Sequence, residues 1–178
     1  MTTVAYAAVT QSGLSFDRQL WMRPEIIPGL RRLTDAIHAE GAAAGIQLGH
    51  CGNMSHKSIC GCMPVGASSG FNLYSPTFVR GLRADELPEM ARAYGRSVNL
   101  AREAGFDSVE IHAGHGYLIS QFLSPSTNHR KDEFGGSLQN RMRFMDMVME
   151  EVMKAAGSDM AVLVKMNTVS YTHLTLPT

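Results

Sequence analysis

The sequence is poor in three features: cysteine, net charge and long apolar runs. It has only three cysteines among 178 residues, and an odd number of thiols within one short segment is not typical of a disulfide framework. Sixteen Lys and Arg balance sixteen Asp and Glu, so no net positive charge favours nucleic acid or an anionic membrane surface. The apolar runs are short and interrupted by charge, and no basic and apolar leader follows Met1. We therefore expect a cytoplasmic protein with neither a nucleic-acid nor a membrane partner.

The residues that are present alternate between helical and extended patterns. Apolar spacing, with a glycine after each of the three segments, predicts helices over residues 28–40, 86–104 and 138–156. Asp85 and Ser137 are the expected N-caps of the second and third helices. Short apolar runs predict strands over residues 42–48, 107–112 and 161–166, and the end of a further strand over residues 3–8. This alternation is typical of parallel strands joined by helical crossovers.

Two long segments, residues 51–83 and 113–136, are predicted as loops. Each follows a strand, whereas the turns from helix into strand are short, and a barrel with its active site at the carboxyl ends of the strands has this asymmetry. No G-x-G-x-x-G turn follows the predicted strands, which argues against a dinucleotide-binding sheet. The sequence therefore predicts an incomplete (β/α)8 TIM barrel over residues 1–168, holding about the end of the second strand to the fifth.

The candidate chemistry lies where the predicted strand 107–112 ends. His112, His115 and Tyr117 follow one another through Gly114 and Gly116, which permit a sharp turn of the backbone. Paired imidazole N–H groups can stabilise negative charge on a ligand oxygen, and a nearby phenol can deliver a proton. Two histidines at this spacing are also compatible with metal ligation or with a structural role. Spacing alone leaves these alternatives open.

A longer stretch carries a specific resemblance. Residues 105–125 read GFDSVEIHAGHGYLISQFLSP and resemble the signature of the old yellow enzyme family of FMN-dependent reductases, in its bacterial dienoyl-reductase-like branch. The likeness extends to residues 47–50 (QLGH) and 164–167 (VKMN). Further matching positions, expected to hold a long loop and cap the next helix, are Asn128, Arg130, Asp132, Gly135, Gly136, Asn140 and Arg141.

The resemblance implies an oxidoreductase that passes hydride from NAD(P)H through FMN to an activated alkene, such as an α,β-unsaturated carbonyl. It implies that His112 and His115 hold the oxygen of a small enone-like substrate and that Tyr117 donates a proton. It further implies that Gln47 contacts the pyrimidine edge of the flavin and that Lys165 places positive charge beside the ring. A homo-oligomer is possible for a protein of this kind.

Two alternatives stand beside this interpretation. Cys51, His56, Cys60 and Cys62 lie within twelve residues, so a zinc-dependent hydrolase on the same barrel is conceivable, although the spacing is not that of paired zinc knuckles. We favour free thiols and expect no metal. The second alternative is an inactive fragment, because a complete barrel needs roughly 250 residues and eight strands. Residues 169–178 (VSYTHLTLPT) break the pattern and are expected to be a non-native tail that resembles a translated sequencing adapter.

Overall fold

A computed structural model of the protein describes residues 1–73 and 75–167, and the tail predicted at 169–178 lies outside these residues. Twelve helices and strands follow one another in chain order: β1 (Thr2–Ala8), α1 (Ile27–Ala39), β2 (Ala44–Gly49), α2 (Lys57–Cys60), β3 (Val65–Gly66), β4 (Gly70–Asn72), β5 (Thr77–Gly81), α3 (Leu87–Glu103), β6 (Ser108–Ala113), α4 (Leu118–Leu123), α5 (Leu138–Ala156) and β7 (Ala161–Met166). No helix among the described residues is both long and apolar enough to cross a membrane.

The main sheet has four strands in the order β1-β2-β6-β7, and every neighbouring pair is parallel. A long helix lies between successive strands along the chain: α1 after β1, α3 after β2 and α5 after β6. This order is that of four consecutive parallel strands joined by three helices, as expected for part of a barrel. All four predicted strands and all three predicted helices are present, with ends that differ by a few residues at most.

The two faces of the sheet differ in chemistry because side chains alternate along each strand. On the face that packs against the helices, Ile46 pairs in register with Val109, and Leu48 pairs with Ile111. All four side chains are fully buried in the main hydrophobic core. On the opposite face, Gln47 pairs in register with Glu110. The helix-covered face therefore stabilises the fold, and the open face carries the polar groups.

Helices α3 and α5 pack closely against each other and hold the sheet from outside. A Cβ on Gly95 would lie 3.0 Å from the carbonyl oxygen of Glu151, so glycine permits this close approach. Helix α5 begins at the predicted cap, since the Ser137 side chain accepts a hydrogen bond from the Asn140 N–H. It ends before Gly157, whose φ of 61° is left-handed.

Three details of the sequence prediction are wrong. The segment 51–83 is not only a loop: it contains α2 and a small sheet in the order β3-β5-β4. The Phe71 and Phe78 rings, 5.2 Å apart, contact each other across its hairpin. The neighbouring Gly and Ser residues obscure the strand pattern in the sequence. Likewise, the segment 113–136 contains α4.

The predicted cap Asp85 is the third correction. Its carboxylate instead accepts a hydrogen bond from the Arg83 side chain at 3.0 Å. The short 3-10 turn at Ala84–Glu86, which precedes α3, is capped by Glu86, whose carboxylate accepts from the Arg83 backbone N–H at 2.8 Å. The carboxylate that accepts from the free Arg83 N–H at this helix start is therefore that of Glu86 and not that of Asp85.

Candidate functional site

The chain turns sharply at the carboxyl end of β6. His112 is the penultimate residue of that strand and is 3% exposed. After it, His115 has φ 55° and Gly116 has φ 70°, so the backbone passes through the left-handed region twice in succession. The left-handed conformation is unfavourable for a histidine, so surrounding contacts must hold His115 in it. The turn returns the chain so that Tyr117 precedes α4 and lies beside the strand end.

This turn brings together the three residues predicted to carry the chemistry. The ring centroids of His112 and His115 are 4.9 Å apart, and those of His112 and Tyr117 are also 4.9 Å apart. The His115 and Tyr117 rings are 6.4 Å apart. All three pairs meet edge to face. The turn therefore places the two imidazole rings and the phenol ring in mutual contact.

The central histidine has an unused polar atom. Within the described part of the chain, the Nδ1 atom of His112 is buried and has no hydrogen-bond partner. Burial, with smaller contributions from the nearby His115 and Lys165 side chains, lowers the pKa of His112 to about 4. The ring is therefore neutral at pH 7 and carries one N–H. The Nδ1 atom of His112 is therefore a candidate ligand-binding atom, because buried polar atoms in proteins usually have a hydrogen-bond partner.

Gln47 and Lys165, the predicted cofactor-binding residues, lie on the same open face as His112. Lys165 is the register partner of His112 on the neighbouring strand β7. Gln47 lies on β2, and its carboxamide donates a short hydrogen bond to the carboxylate of Glu110, two residues before His112. Three of the five predicted site residues, Gln47, His112 and Lys165, thus lie on one face of the adjacent strands β2, β6 and β7, and the other two lie in the turn that follows β6. Sequence reasoning missed Glu110, whose charge opposes that of Lys165 in its effect on the pKa of His112.

Tyr6 is a further residue that the sequence analysis missed. Its ring on β1 lies 5.4 Å from the Tyr117 ring and 6.0 Å from the His112 ring. Its hydroxyl donates to the carbonyl of Gly13 at 2.7 Å, and burial raises the pKa of this phenol above its usual range. Tyr6 therefore forms a neutral aromatic wall on the β1 side of the site. The sequence did not indicate this role, because Tyr6 is a single aromatic residue in a strand of which only the end was predicted.

Gln121 is the second residue that was missed. It is 1% exposed on α4, and its side-chain amide donates to the carbonyl oxygens of Gly116 at 2.7 Å and Cys51 at 3.2 Å. The same amide donates to the Asn53 side chain at 2.8 Å, and its oxygen accepts from the Asn53 N–H. Gln121 therefore joins the histidine turn to the loop that follows β2. The sequence carries no signal of this role, because Cys51 and Asn53 lie about seventy positions from Gln121 along the chain.

The residues assigned to architecture do hold the loop before α5. Arg130 pairs with Asp132, stacks against the Phe122 and Phe134 rings, and donates to the carbonyl oxygens of Ala67 and Leu82. The carboxamide of Asn128 donates to the carbonyls at both ends of the loop, those of Phe122 and Phe134, at 2.7 Å each. Further contacts to backbone carbonyls come from Asn140 and Arg141.

A cavity of about 540 Å³ opens beside the histidine turn. His115 and Gly116 form its inner wall, and the small β3-β5-β4 sheet and the loop after α4 form its sides, for example through Phe71 and Thr127. The volume suits a small organic molecule. The segment predicted as a simple loop after β2 therefore shapes the space next to the candidate catalytic groups.

The cysteine segment gives no support to the zinc alternative. Cys51 is buried and its thiol donates to the carbonyl of Leu14 at 3.2 Å. His56 is engaged with the Ser75 hydroxyl at 2.6 Å. Across residues 1–73 and 75–167, no group of three or more His, Cys, Asp or Glu side chains is arranged to hold a metal ion.

Comparison with known proteins gives a consistent result. The model of the NADH:flavin oxidoreductase / NADH oxidase family matches residues 1–176. The chain is 41% identical over 167 residues to 4,4'-dithiodibutanoate disulfide reductase of Rhodococcus erythropolis, covering 94% of this chain and 41% of that protein. It is 39% identical over 150 residues to NADPH dehydrogenase of Bacillus subtilis, covering 84% of this chain and 44% of that protein.

A solved structure shows the same arrangement of strands and helices. The old yellow enzyme homologue from Zymomonas mobilis matches with a TM-score of 0.84 and 32% identity, over 91% of this chain and 49% of that one. The predicted partial TIM barrel is thereby confirmed. The chain spans between two fifths and half of the length of these relatives.

Proposed function

This chain belongs to the NADH:flavin oxidoreductase / NADH oxidase family, and from that premise we propose that the complete protein reduces an activated alkene with electrons from NAD(P)H. FMN is the cofactor implied by the family, and NAD(P)H is the implied electron donor. The proposed substrate is a small α,β-unsaturated carbonyl compound. The observation that carries the proposal is the contact of two imidazoles and a phenol at the end of β6, with one buried imidazole nitrogen unpaired among the described residues.

The open face of the sheet fits a flavin in its donor set. The Gln47 carboxamide offers both a donor and an acceptor to a pyrimidine edge, and Lys165 offers a positive charge to a reduced ring. Both lie on the face that carries the unpaired Nδ1 of His112. When bound there, FMN would supply the two-electron chemistry, accepting hydride from NAD(P)H and delivering hydride to the β-carbon of the alkene.

His112 and His115 would polarise the substrate. Each imidazole can donate one N–H to the carbonyl oxygen, on which negative charge develops as hydride arrives. Burial keeps the pKa of His112 at about 4, so at pH 7 the ring donates a hydrogen bond without carrying a charge. The edge-to-face contact and the held turn fix the two rings before the substrate binds. This preorganisation supports transition-state stabilisation rather than simple binding.

Tyr117 would deliver the proton that completes the reduction. Its ring contacts His112, and burial raises the pKa of the phenol, so the group holds its proton at neutral pH. A phenol that stays protonated is a suitable general acid for the α-carbon, where negative charge accumulates after hydride transfer. The cavity that His115 lines would hold the rest of a small substrate.

The full-length protein tests the proposal directly through its two half-reactions. The purified protein should be yellow, with stoichiometric flavin, and should reduce 2-cyclohexenone with NADPH. Replacement His112→Ala should slow enone reduction by about 100- to 1000-fold, the usual cost of removing one oxyanion donor. Oxidation of NADPH should proceed at close to the wild-type rate, because that step needs no substrate oxygen. Stopped-flow absorbance separates the two rates.

Tyr117→Phe is the matched variant, since it keeps the ring and removes only the hydroxyl. We expect it to slow enone reduction while leaving the affinity for the enone nearly unchanged. A colourless full-length protein would refute the cofactor assignment. Equal losses in both half-reactions would show that the residues support folding rather than the proposed chemistry.

A further inference from the structure

Two thiols of the cysteine segment lie side by side, away from the histidine site. The Sγ atoms of Cys60 and Cys62 are 3.7 Å apart. Cys60 is the last residue of α2 and is 2% exposed, whereas Cys62 is exposed. Cys51, in contrast, is fully buried and its thiol bonds to Leu14. The three cysteines are therefore not equivalent: the sulfur atoms of Cys60 and Cys62 are neighbours, whereas the Cys51 thiol is engaged with a backbone carbonyl.

Gly61 sets the geometry of this pair. It has φ 74°, and its N–H bonds to the Lys57 carbonyl, so the chain reverses immediately after the helix. The left-handed conformation, which glycine adopts without strain, turns Cys62 back toward Cys60. The Cys60 thiol also contacts the carbonyl of Cys62 at 3.2 Å. A disulfide requires the two sulfur atoms, now 3.7 Å apart, to approach to about 2.0 Å.

We propose that Cys60 and Cys62 form a reversible dithiol–disulfide pair that exchanges with low-molecular-weight disulfides. The proposal is independent of the proposed enzymatic function. Cys62 is the attacking thiol because its sulfur reaches solvent, and Cys60 is the resolving thiol because it is buried directly behind it. The exposed partner thus meets the small disulfide first, and the buried one completes the exchange.

The reaction balances with one small disulfide as the oxidant. Cys62 loses its proton and its sulfur attacks one sulfur of the small disulfide, which releases one small thiolate and leaves a mixed disulfide on Cys62. Cys60 then loses its proton and attacks the Cys62 sulfur, which releases the second small thiolate and forms the Cys60–Cys62 bond. The protein loses two hydrogen atoms, and the small disulfide becomes two thiols.

The local electrostatics predict the pH dependence of the first step. Partial burial and the neighbouring Cys60 thiol raise the pKa of Cys62, while the guanidinium of Arg80 acts in the opposite direction. Because the thiolate is the nucleophile, exchange should accelerate as the pH rises above neutrality. The loop is short, so the product should also be readily reduced by a small dithiol.

Intact-mass spectrometry of the full-length protein treated with glutathione disulfide, followed by iodoacetamide, tests the proposal. The wild-type protein should become lighter by two hydrogen atoms and lose two alkylatable thiols, both recovered after dithiothreitol. Cys60→Ser should stop at a stable adduct of one glutathione, because no resolving thiol remains. Cys62→Ser should not react.

Cys51→Ser is the matched control and should behave as the wild-type protein does, since Cys51 is buried and separate from the pair. The proposal is overturned if the wild-type protein keeps a stable glutathione adduct, if it does not react at pH 8, or if Cys51→Ser prevents the loss of two thiols. Circular dichroism of each variant establishes that it is folded, and Cys62→Ser changes only an exposed side chain.

Discussion

Strands β6 and β7 have the same length and lie side by side in register, yet their burial differs greatly. On β6, Val109 and Ile111 are fully buried. On β7, Leu163 and Val164 are each 38% exposed, although Val164 is the register partner of Ile111. Among residues 1–73 and 75–167, strand β6 has a strand on each side, whereas β7 has a strand neighbour on one side only. An apolar run therefore predicts a strand, and its neighbours decide how much the run is buried.

The same difference appears among the functional residues of the two strands. His112 on β6 is 3% exposed and has a strongly lowered pKa. Its register partner Lys165 on β7 is exposed. Burial thus distinguishes His112 in two ways. It disfavours the charged form of the imidazole, and it keeps water from the unpaired ring nitrogen.

The largest expected effect comes from a matched pair of truncations across the two strands. Ile111→Ala should lower the free energy of unfolding by about 2 to 5 kcal/mol, because it opens a cavity in the core. Val164→Ala, on the register partner, should cost about 1 kcal/mol or less, since the side chain is partly in water. Urea unfolding followed by circular dichroism measures both. Equal costs would contradict the difference in burial between the strands.

Acid should destabilise the fold through two buried histidines, His50 after β2 and His112 on β6. Burial lowers the pKa of His50 to about 3 and that of His112 to about 4, below the usual value of 6.5. The unfolded chain binds these protons first, so the stability present above pH 6.5 is lost as the pH falls toward 4. His50 alone should account for about 3 kcal/mol by pH 4.

Urea midpoints measured between pH 7 and 4.5 check this prediction. In His50→Asn the slope of stability against pH should become shallower. The Nδ1 of His50 accepts from the Gly52 N–H at 2.9 Å, so protonation would remove this bond. A wild-type stability that is flat over this range would show that the histidines are not held neutral.

Loss of the Gln121 side chain should have an intermediate effect. Gln121→Ala leaves the Gly116 and Cys51 carbonyls and the Asn53 N–H without their partner, at a cost of about 1 to 3 kcal/mol. Gln121 also anchors the turn that holds His115. The affinity of the full-length protein for phenol, used as a probe ligand for the two imidazoles, should therefore fall more than in a destabilised variant far from the site. The variant Ser137→Ala serves as that distant control.

The smallest predicted effect is that of Ser137→Ala itself. The Ser137 hydroxyl accepts from the Asn140 N–H at the start of α5, and loss of such a cap usually costs about 1 kcal/mol. Thermal unfolding should show the decrease, while flavin content and phenol affinity of the full-length protein stay unchanged. A change in phenol affinity would show that α5 influences the site more than its contacts indicate.

The sequence predicts the regular elements well because local patterns determine them. The helix that begins after Ser137 was predicted correctly because a cap precedes it and a glycine ends it. The strand over residues 161–166 was predicted correctly because it is a short apolar run. The small β3-β5-β4 sheet was missed because its strands are only two to five residues long and its pairing depends on contacts distant in sequence, such as that between Val65 and Arg80.

The candidate site follows the same division. His112, His115 and Tyr117 lie within six residues, so their turn is visible in the sequence, and the resemblance to the family supplied Gln47 and Lys165. Tyr6 and Gln121 could not be predicted, because Tyr6 meets the site only through the pairing of β1 with β2, and Gln121 acts through residues almost seventy positions away.

The central claim is that His112 and His115 bind one ligand oxygen together, and a double-mutant cycle for phenol binding tests it most directly. Phenol is titrated into the flavin-loaded full-length protein, His112→Ala, His115→Ala and the double variant, and the change in visible absorbance gives each Kd. We predict weaker binding in both single variants and a coupling free energy of about 0.5 to 3 kcal/mol between them. Unchanged phenol affinity, or losses that simply add, would contradict the claim.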